Sequence, residues 1–373
     1  METVIENAPQ LRTKISLTRK MFEFFGCLVA LWIYAIVFYS LKGTAQYNGL
    51  TAFVNGLAGI LFADFADVLY HLPVLWKKDI VGNRWKEYGY RILHSYSFVT
   101  GLLVALLCTI SLPWWQVGIS AFVGTFFFKL LFGGFGHNIF NPAIISRVFA
   151  QLVFASGMNA YKSEESFVST GASLTASNGN GGFHGLIGNN FDFGKMFLGS
   201  YYGALGETYL LLLLVVCVYL CVREIIDWRV PVFYIGSLYL AFLIAFLAMK
   251  DGQYAFVDAF KYTAIGGIFF GGILCLTDPV TSPTARSGRI IFALGSAFIT
   301  ILLRLFTSSP EGVAYSILIM NFLTPLIDKI VKGRTRNNLV PTIVIAVLFV
   351  AVLAVGLTFG LQHTIQTDGS FVA

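Results

Sequence analysis

Gly101-Leu-Leu-Val-Ala-Leu-Leu-Cys108-Thr-Ile-Ser-Leu-Pro113 resembles Gly272-Ile-Leu-Cys275-Leu-Thr-Asp278-Pro279. Each stretch is followed by a Gly-containing apolar span ending in a cation and glycines. Those ends read Lys129-Leu-Leu-Phe-Gly-Gly-Phe-Gly136 and Arg304-Leu-Phe-Thr-Ser-Ser-Pro-Glu-Gly312. Both continue into a segment holding Asn and Pro: Asn141-Pro142 in the first, Asn321 and Pro325 in the second. The matching segments lie an odd number of spans apart, so the two halves face opposite ways. That pattern predicts an inverted repeat, an architecture whose sites lie near discontinuous helices. The expected fold is an all-α polytopic membrane protein with about 5+5 transmembrane helices of about 20 apolar residues. Broken helices and one extra C-terminal helix complete it.

Composition agrees. Of 373 residues, 57% are hydrophobic, 16% aromatic and only 12% charged, against about 25% charged in soluble domains. A soluble domain, a disordered chain and a nucleic-acid binder are excluded. The net charge of +6 sits in short clusters between apolar runs, not in a duplex footprint. The 36 Phe and 37 Gly suit lipid-facing aromatics and close helix packing. Five scattered Cys without a Cys-x-x-Cys spacing imply neither a disulfide framework nor a zinc site.

On the rule of about 20 apolar residues per span, about eleven spans are expected. They lie near 22–41, 47–71, 92–111, 115–135, 139–157, 203–222, 231–249, 257–277, 289–306, 312–330 and 339–361. Arg12, Lys14, Arg19 and Lys20 precede the first, which predicts a cytoplasmic N-terminus. Every later cluster follows an even number of spans: Lys77, Lys78, Arg84, Lys86 and Arg91; Arg223 and Arg229; Arg286 and Arg289; Lys329, Lys332, Arg334 and Arg336. The first apolar run is too long for a cleaved signal peptide, and no small-x-small site follows it. The chain thus divides into a cytoplasmic arm (1–21), a ten-helix core (22–336) and a C-terminal transmembrane helix with an external tail (337–373). A long Gly- and Ser-rich loop, 158–200, falls outside the membrane; loops of this length are commonly functional or disordered.

Two places break the spans: Asn138-Ile-Phe-Asn141-Pro142-Ala143 and Thr277-Asp278-Pro279-Val-Thr281-Ser-Pro283-Thr284. Proline lacks an N–H donor and turns the preceding residue from helix. Such backbone survives at membrane depth only when buried in protein or lining a wet cavity. Its freed amides and carbonyls, with Thr and Asn side chains, suit an anionic ring system or a cation. A simple kink is the plainer alternative.

These motifs, with Leu198-Gly-Ser-Tyr-Tyr-Gly-Ala-Leu-Gly-Glu-Thr208, Pro310-Glu-Gly-Val-Ala-Tyr-Ser-Ile-Leu-Ile-Met-Asn321 and Pro325-Leu-Ile-Asp328, resemble the RnfD/NqrB family over residues 92–330. Its members are membrane subunits of the Rnf complex (ferredoxin:NAD⁺ oxidoreductase) and of the sodium-pumping NADH:quinone reductase. The resemblance implies FMN joined by a phosphodiester to the last hydroxyl of a Ser/Thr-Gly-Ala-Thr/Ser motif, placed there by a flavin transferase. Here the match is Thr170-Gly171-Ala172-Ser173, within the external loop. Small neighbours and an exposed loop suit that attachment. Ser173 stands where Thr is usual, Leu174 replaces the common Pro, and Thr175 is a competing acceptor. His94-Ser95-Tyr96-Ser97 stands where the family often has Asp-Gly.

The resemblance further implies a second, noncovalent flavin (riboflavin or similar) near the broken helices. Asn138, Asn141, Lys129, Asp278, Thr281 and Arg304 are the candidate residues. Ionisable groups within spans are costly unless paired or hydrated, which also singles out Asp64, Asp67 and Glu207. Lys129 and Arg304 suit electrostatic stabilisation of an anionic flavin, or snorkelling to the interface. Asp278 suits a pocket or ion-path role, or a half-helix cap. Asp64 and Asp67 share a helix face, as for pairing with a neighbouring subunit. Cys108 and Cys275 are equivalent in the repeats, but an iron–sulfur cluster usually takes four thiolates. Cys217 and Cys221 fit helix packing, as does Gly267-x-x-x-Gly271. Gly133-Gly134-Phe-Gly136 lacks the Lys-Ser/Thr of a P-loop.

The expected function is electron relay in an ion-translocating complex of the prokaryotic inner membrane. Other Rnf/Nqr-type subunits and Na⁺ or H⁺ are the partners. Rnf is favoured because the quinone-reducing relative has a longer N-terminal region before its first span, associated with quinone binding, whereas the first span here starts near residue 22. The alternatives are an NqrB-like subunit, a stand-alone relay to external acceptors, and a flavin-free channel of inverted-repeat fold.

Overall fold

The computed structural model describes residues 16–43, 46–76, 83–158, 197, 204–207, 209–249, 255–264, 266–306 and 312–331. Thr170, Gly171, Ala172, Ser173 and Thr175 lie outside the described residues, as does the span expected at 339–361. All regular elements among the described residues are helical. Five stretches are long and apolar enough to cross a membrane, including Leu17–Lys42, Arg286–Arg304 and Gly312–Val331. The chain is an all-α polytopic membrane protein.

Helix α1 (Leu17–Lys42) starts at Ser16, whose side chain accepts from the Arg19 N–H, and α2 (Gly49–His71) starts at Asn48, which accepts from Thr51. Each cap satisfies an N–H that the helix cannot pair itself. Isoleucine, valine, leucine and phenylalanine side chains such as Ile33, Val37, Leu61 and Phe65 point outward from the pair, as a lipid-facing surface requires.

The span expected at 92–111 begins earlier and is interrupted. Helix α3 (Arg84–Ser95) ends at Tyr96, which adopts the left-handed conformation (φ 53°), and α4 (Ser97–Leu107) starts beyond it. Tyr96 is held there by a 2.9 Å hydrogen bond between its hydroxyl and that of Thr18 on α1. Beyond α4, the non-helical turn is satisfied by side chains. Asn55 donates to the Leu112 carbonyl (3.0 Å) and Ser111 to that of Gly157 (2.8 Å). Bonds of this kind keep unwound backbone tolerable within a membrane.

Helix α5 (Trp114–Thr125) runs into a π-helical turn, Phe126–Leu130. Helix α6 (Pro142–Val153) has 12 residues, or about 18 Å at 1.5 Å per residue, too short to span alone. The second half comprises α7 (Leu210–Val222), α8 (Arg229–Met249), α9 (Ala255–Ala264), a short turn Ile268–Phe270 continued by a π-helical turn Gly271–Cys275, α10 (Arg286–Phe306) and α11 (Gly312–Val331). The span expected at 257–277 is therefore also broken. Gly267 has a left-handed φ of 76° and faces Glu207, so it marks a break, not the helix-packing contact read from Gly267-x-x-x-Gly271.

Helix α2 packs on α4 and α5, and α5 on α6; α8 packs on the 271–275 turn and on α10, and α10 on α11. Helix α6 also packs on α11, joining the halves. On α2 and α4, Gly59 and Gly101 face each other so closely that a Cβ on either meets the other's carbonyl oxygen. Gly101→Ala is expected to cost about 1–3 kcal/mol by overpacking. Melting of the detergent-solubilised protein checks this, with Gly26→Ala, in open space, unchanged.

At the end of the molecule where α1 begins, ion pairs tie separate segments together. Glu23 of α1 accepts from Arg223 beyond α7 and from Arg19. Asp227, between α7 and α8, accepts from Arg289 of α10 (2.8 Å) and from the N–H of Arg229 (3.0 Å). Burial works against its charge, but the Arg289 and Arg229 guanidiniums outweigh it and hold the carboxyl below its usual range. A depressed folded pKa gives stability that is present at neutral pH and lost as pH falls. Asp227→Asn is expected to lower stability at pH 7 by about 1–3 kcal/mol. The wild-type–variant difference in melting should shrink toward acid pH.

Candidate functional site at two helix breaks

The first break is built by glycine and asparagine. Gly133, Gly134 and Gly136 all have left-handed φ (117°, 88° and 97°), which only glycine adopts freely. They let the chain reverse after the π-helical turn that carries Lys129. Asn141 then caps α6, its Oδ1 accepting from Ala143 (3.0 Å) and Ile144 (3.4 Å), with Pro142 in the first turn. Proline suits that position because its missing N–H would go unpaired there anyway.

The second break is an Asx turn. Asp278 Oδ1 accepts from the Val280 N–H (3.2 Å) and Oδ2 from the Thr281 hydroxyl (3.1 Å). Thr277 donates back to the Ile273 carbonyl (2.6 Å), and Thr324 of α11 donates to that of Thr281 (2.9 Å). Asp278 therefore organises its own loop and does not cap a half-helix.

The two breaks meet. The Asn141 side-chain amide donates to the Cys275 carbonyl at 3.0 Å, across 134 residues of chain. Between them and the first turns of α1 lies a pocket with about 250 Å³ of room, just below the roughly 300–1,000 Å³ of common ligand pockets. Tyr96, Leu103, Phe135 and Leu274 supply apolar wall, while Lys129, Asn138, Asn141 and Asp278 supply polar groups. Of the residues singled out in the sequence, these last four come together. Thr281 sits behind Asp278. Arg304 lies at the far end of α10, donating to the carbonyls of Tyr262 (3.2 Å) and Gly266 (2.6 Å).

Lys129 is 2% exposed and does not snorkel. Its ammonium donates to Ser97 Oγ (3.1 Å) and Thr100 Oγ1 (3.3 Å) and lies 6.0 Å from the Phe135 ring centre. Asp67, Asp278 and Asp64 are the carboxylates close enough to act on it. Asp67 is fully buried within this chain, so it is not displayed for a neighbouring subunit. Ser97 and Thr100, three residues apart on α4, escaped the sequence reading. Their signal is a hydroxyl pair on one helix face inside an apolar run.

Cys108 and Cys275 are both buried, and no metal-holding group of His, Cys, Asp and Glu occurs among the described residues. The two cysteines do share a feature: each backbone carbonyl at a helix break accepts from a distant segment, Cys275 from Asn141 and Cys108 from the Leu205 N–H (3.0 Å).

Broken helices meeting around a charged, apolar-walled pocket belong to a polytopic membrane protein with a candidate site at those breaks. Residues 4–337 match the NQR2, RnfD, RnfE family, and the chain belongs to that family. It is 34% identical over 264 residues to the D subunit of the Na(+)-translocating ferredoxin:NAD(+) oxidoreductase complex of Acetobacterium woodii, covering 70% of this chain and 75% of that one. It is 36% identical over 257 residues to the D subunit of the proton-translocating ferredoxin:NAD(+) oxidoreductase complex of Clostridium ljungdahlii (66% and 76%). It is 30% identical over 304 residues to the B subunit of the Na(+)-translocating NADH-quinone reductase of Ectopseudomonas mendocina (77% and 75%).

Proposed function

We propose that this chain is the membrane subunit of an Rnf-type ion-translocating electron transport complex and relays electrons through bound flavin. One flavin, FMN, is carried on Ser173, or on Thr175, of the external loop. A second is held without a covalent bond in the pocket between the helix breaks. The observation that carries this reading is the buried Lys129 ammonium beside an apolar-walled pocket, in a chain 34–36% identical to two D subunits of such complexes. The lower identity to the quinone-reductase B subunit, 30%, makes that the second reading.

Flavin supplies the redox chemistry; the protein supplies place and field. Phe135 and Tyr96 offer faces for a flat ring. The amides of Asn138 and Asn141 offer hydrogen bonds to ring heteroatoms, and Asn138 already donates to the Phe140 carbonyl (3.3 Å). Lys129 favours negative charge in the pocket, and low dielectric magnifies that preference. Asp278, its oxygens engaged by its own loop, keeps the net charge near the ammonium low. The positive clusters in the sequence support a cytoplasmic pocket end and an external 158–200 loop. The same reading makes the halves an inverted repeat. Other subunits of the complex, a flavin transferase and Na⁺ or H⁺ are the implied partners.

The test is the flavin content of the complex purified through a tag on this chain. Denaturation should release one flavin for each copy of this chain from the pocket and leave another bound to the polypeptide. Replacing Asn138 and Phe135 by Ala should lose the released flavin alone. Full retention of that flavin in the double variant would place it elsewhere and overturn the pocket assignment.

A further inference from the structure

Asp67 is fully buried, and no hydrogen bond of ordinary length reaches either of its carboxylate oxygens. A charged carboxylate in that state is among the most costly arrangements a protein can hold. The groups near enough to act on it are Lys129, the hydroxyls of Ser97 and Ser95, and His71. The two serine hydroxyls are 3.2 Å apart, and Ser97 Oγ is 3.1 Å from Lys129 Nζ. Lys129 also lines the pocket. A continuous polar path therefore runs from the pocket wall through Lys129, Ser97 and Ser95 to the neighbourhood of Asp67.

We infer that Asp67 is a proton-exchange site whose occupancy follows the charge in the pocket. This rests on the pocket holding a group that gains negative charge on reduction, with electrons supplied by the flavin or iron–sulfur donors of partner subunits. With the pocket neutral, the Lys129 ammonium offsets the Asp67 carboxylate. When negative charge enters the pocket, the ammonium is drawn to it electrostatically and Asp67 loses its compensation. One proton from the adjoining aqueous phase then forms an O–H bond on Asp67. On reoxidation that bond breaks and the proton leaves. Charge balances at each stage, because one proton enters for each negative charge gained.

The surroundings leave Lys129 as the partner best placed to do this. From α2 itself come Asp64, partly buried, and His71. From α3 come Arg91, which pairs with Glu87 at 2.7 Å, and Tyr88, which donates to the Val68 carbonyl at 3.0 Å. From α1, Glu23 is committed to Arg19 and Arg223. Helices α4 and α5 contain no ionisable side chain.

The experiment is redox-difference infrared spectroscopy of the purified complex, with flavin bleaching recorded in the same cell. Wild type should gain a carboxylic acid carbonyl band on reduction, shifted in D2O. Asp67→Asn should lose that band and Asp64→Asn should keep it. Lys129→Gln, which retains Asp67, should also lose it, since an uncompensated Asp67 is protonated in both states. Normal flavin bleaching with an unchanged band in either Asp67→Asn or Lys129→Gln, or with no band in wild type, overturns the inference. Absence of bleaching in wild type instead refutes the flavin reading on which it rests.

Discussion

Lys129→Met is expected to lower ion-coupled electron transfer by about 100-fold or more, the scale seen when a preorganised electrostatic donor is removed. The ammonium is the one cation among the pocket-lining residues that is buried; Lys20, the other, sits near the mouth and donates to the Glu224 carbonyl (3.0 Å). Loss of Lys129 leaves Asp64, Asp67 and Asp278 without a central positive charge. The pocket of this variant then no longer favours negative charge. Steady-state turnover of the complex, with this chain's membrane yield as the folding control, reads the effect. Lys129→Arg should recover part of the rate, because a guanidinium keeps the charge but not the compact geometry. A Lys129→Met complex with wild-type turnover would remove Lys129 from the mechanism.

Asn141→Ala is expected to destabilise the protein by about 2–4 kcal/mol, adding a lost helix cap of about 1 kcal/mol to a buried carbonyl left unpaired, about 1–3 kcal/mol. The two losses fall on different halves: the cap on α6, the carbonyl at Cys275. Asn141→Ser keeps an acceptor for α6 but cannot reach Cys275, so it should recover about 1 kcal/mol. Melting of the solubilised chain separates the two contributions. Flavin released on denaturation should fall in both variants, because the contact between the breaks shapes the pocket.

Much of this architecture is legible in the sequence because its causes are local. Hydrophobic runs give the long helices, and the break at Asn141-Pro142 gives the start of α6. The Thr277–Pro283 break follows from proline and aspartate chemistry. The break at Tyr96 is not legible, since no Pro or Gly marks it. A tertiary hydrogen bond to Thr18 holds a left-handed tyrosine that local preference would not choose. The short lengths of α4, α6 and α9 escape for a related reason: apolar composition continues past the last helical turn, and only tertiary partners such as Asn55 and Ser111 make the unwound backbone tolerable. The candidate site is half legible. Asn138, Asn141, Lys129 and Asp278 stand out by residue type and depth, but their convergence depends on a contact across 134 residues. Asp67 reads as a surface-pairing residue in the sequence because helix periodicity reports which residues share a face, not what that face meets.

Electron relay by this chain stands most directly on the covalent flavin. The decisive measurement is ultraviolet in-gel fluorescence after denaturing electrophoresis of the protein co-expressed with a flavin transferase, comparing wild type, Ser173→Ala and Thr175→Ala. A fluorescent wild-type band lost only in Ser173→Ala is the expected result, and loss only in Thr175→Ala would keep the flavin and move its attachment. No fluorescent band in wild type, with the transferase active on a control substrate, would contradict electron relay by this chain and favour a flavin-free channel.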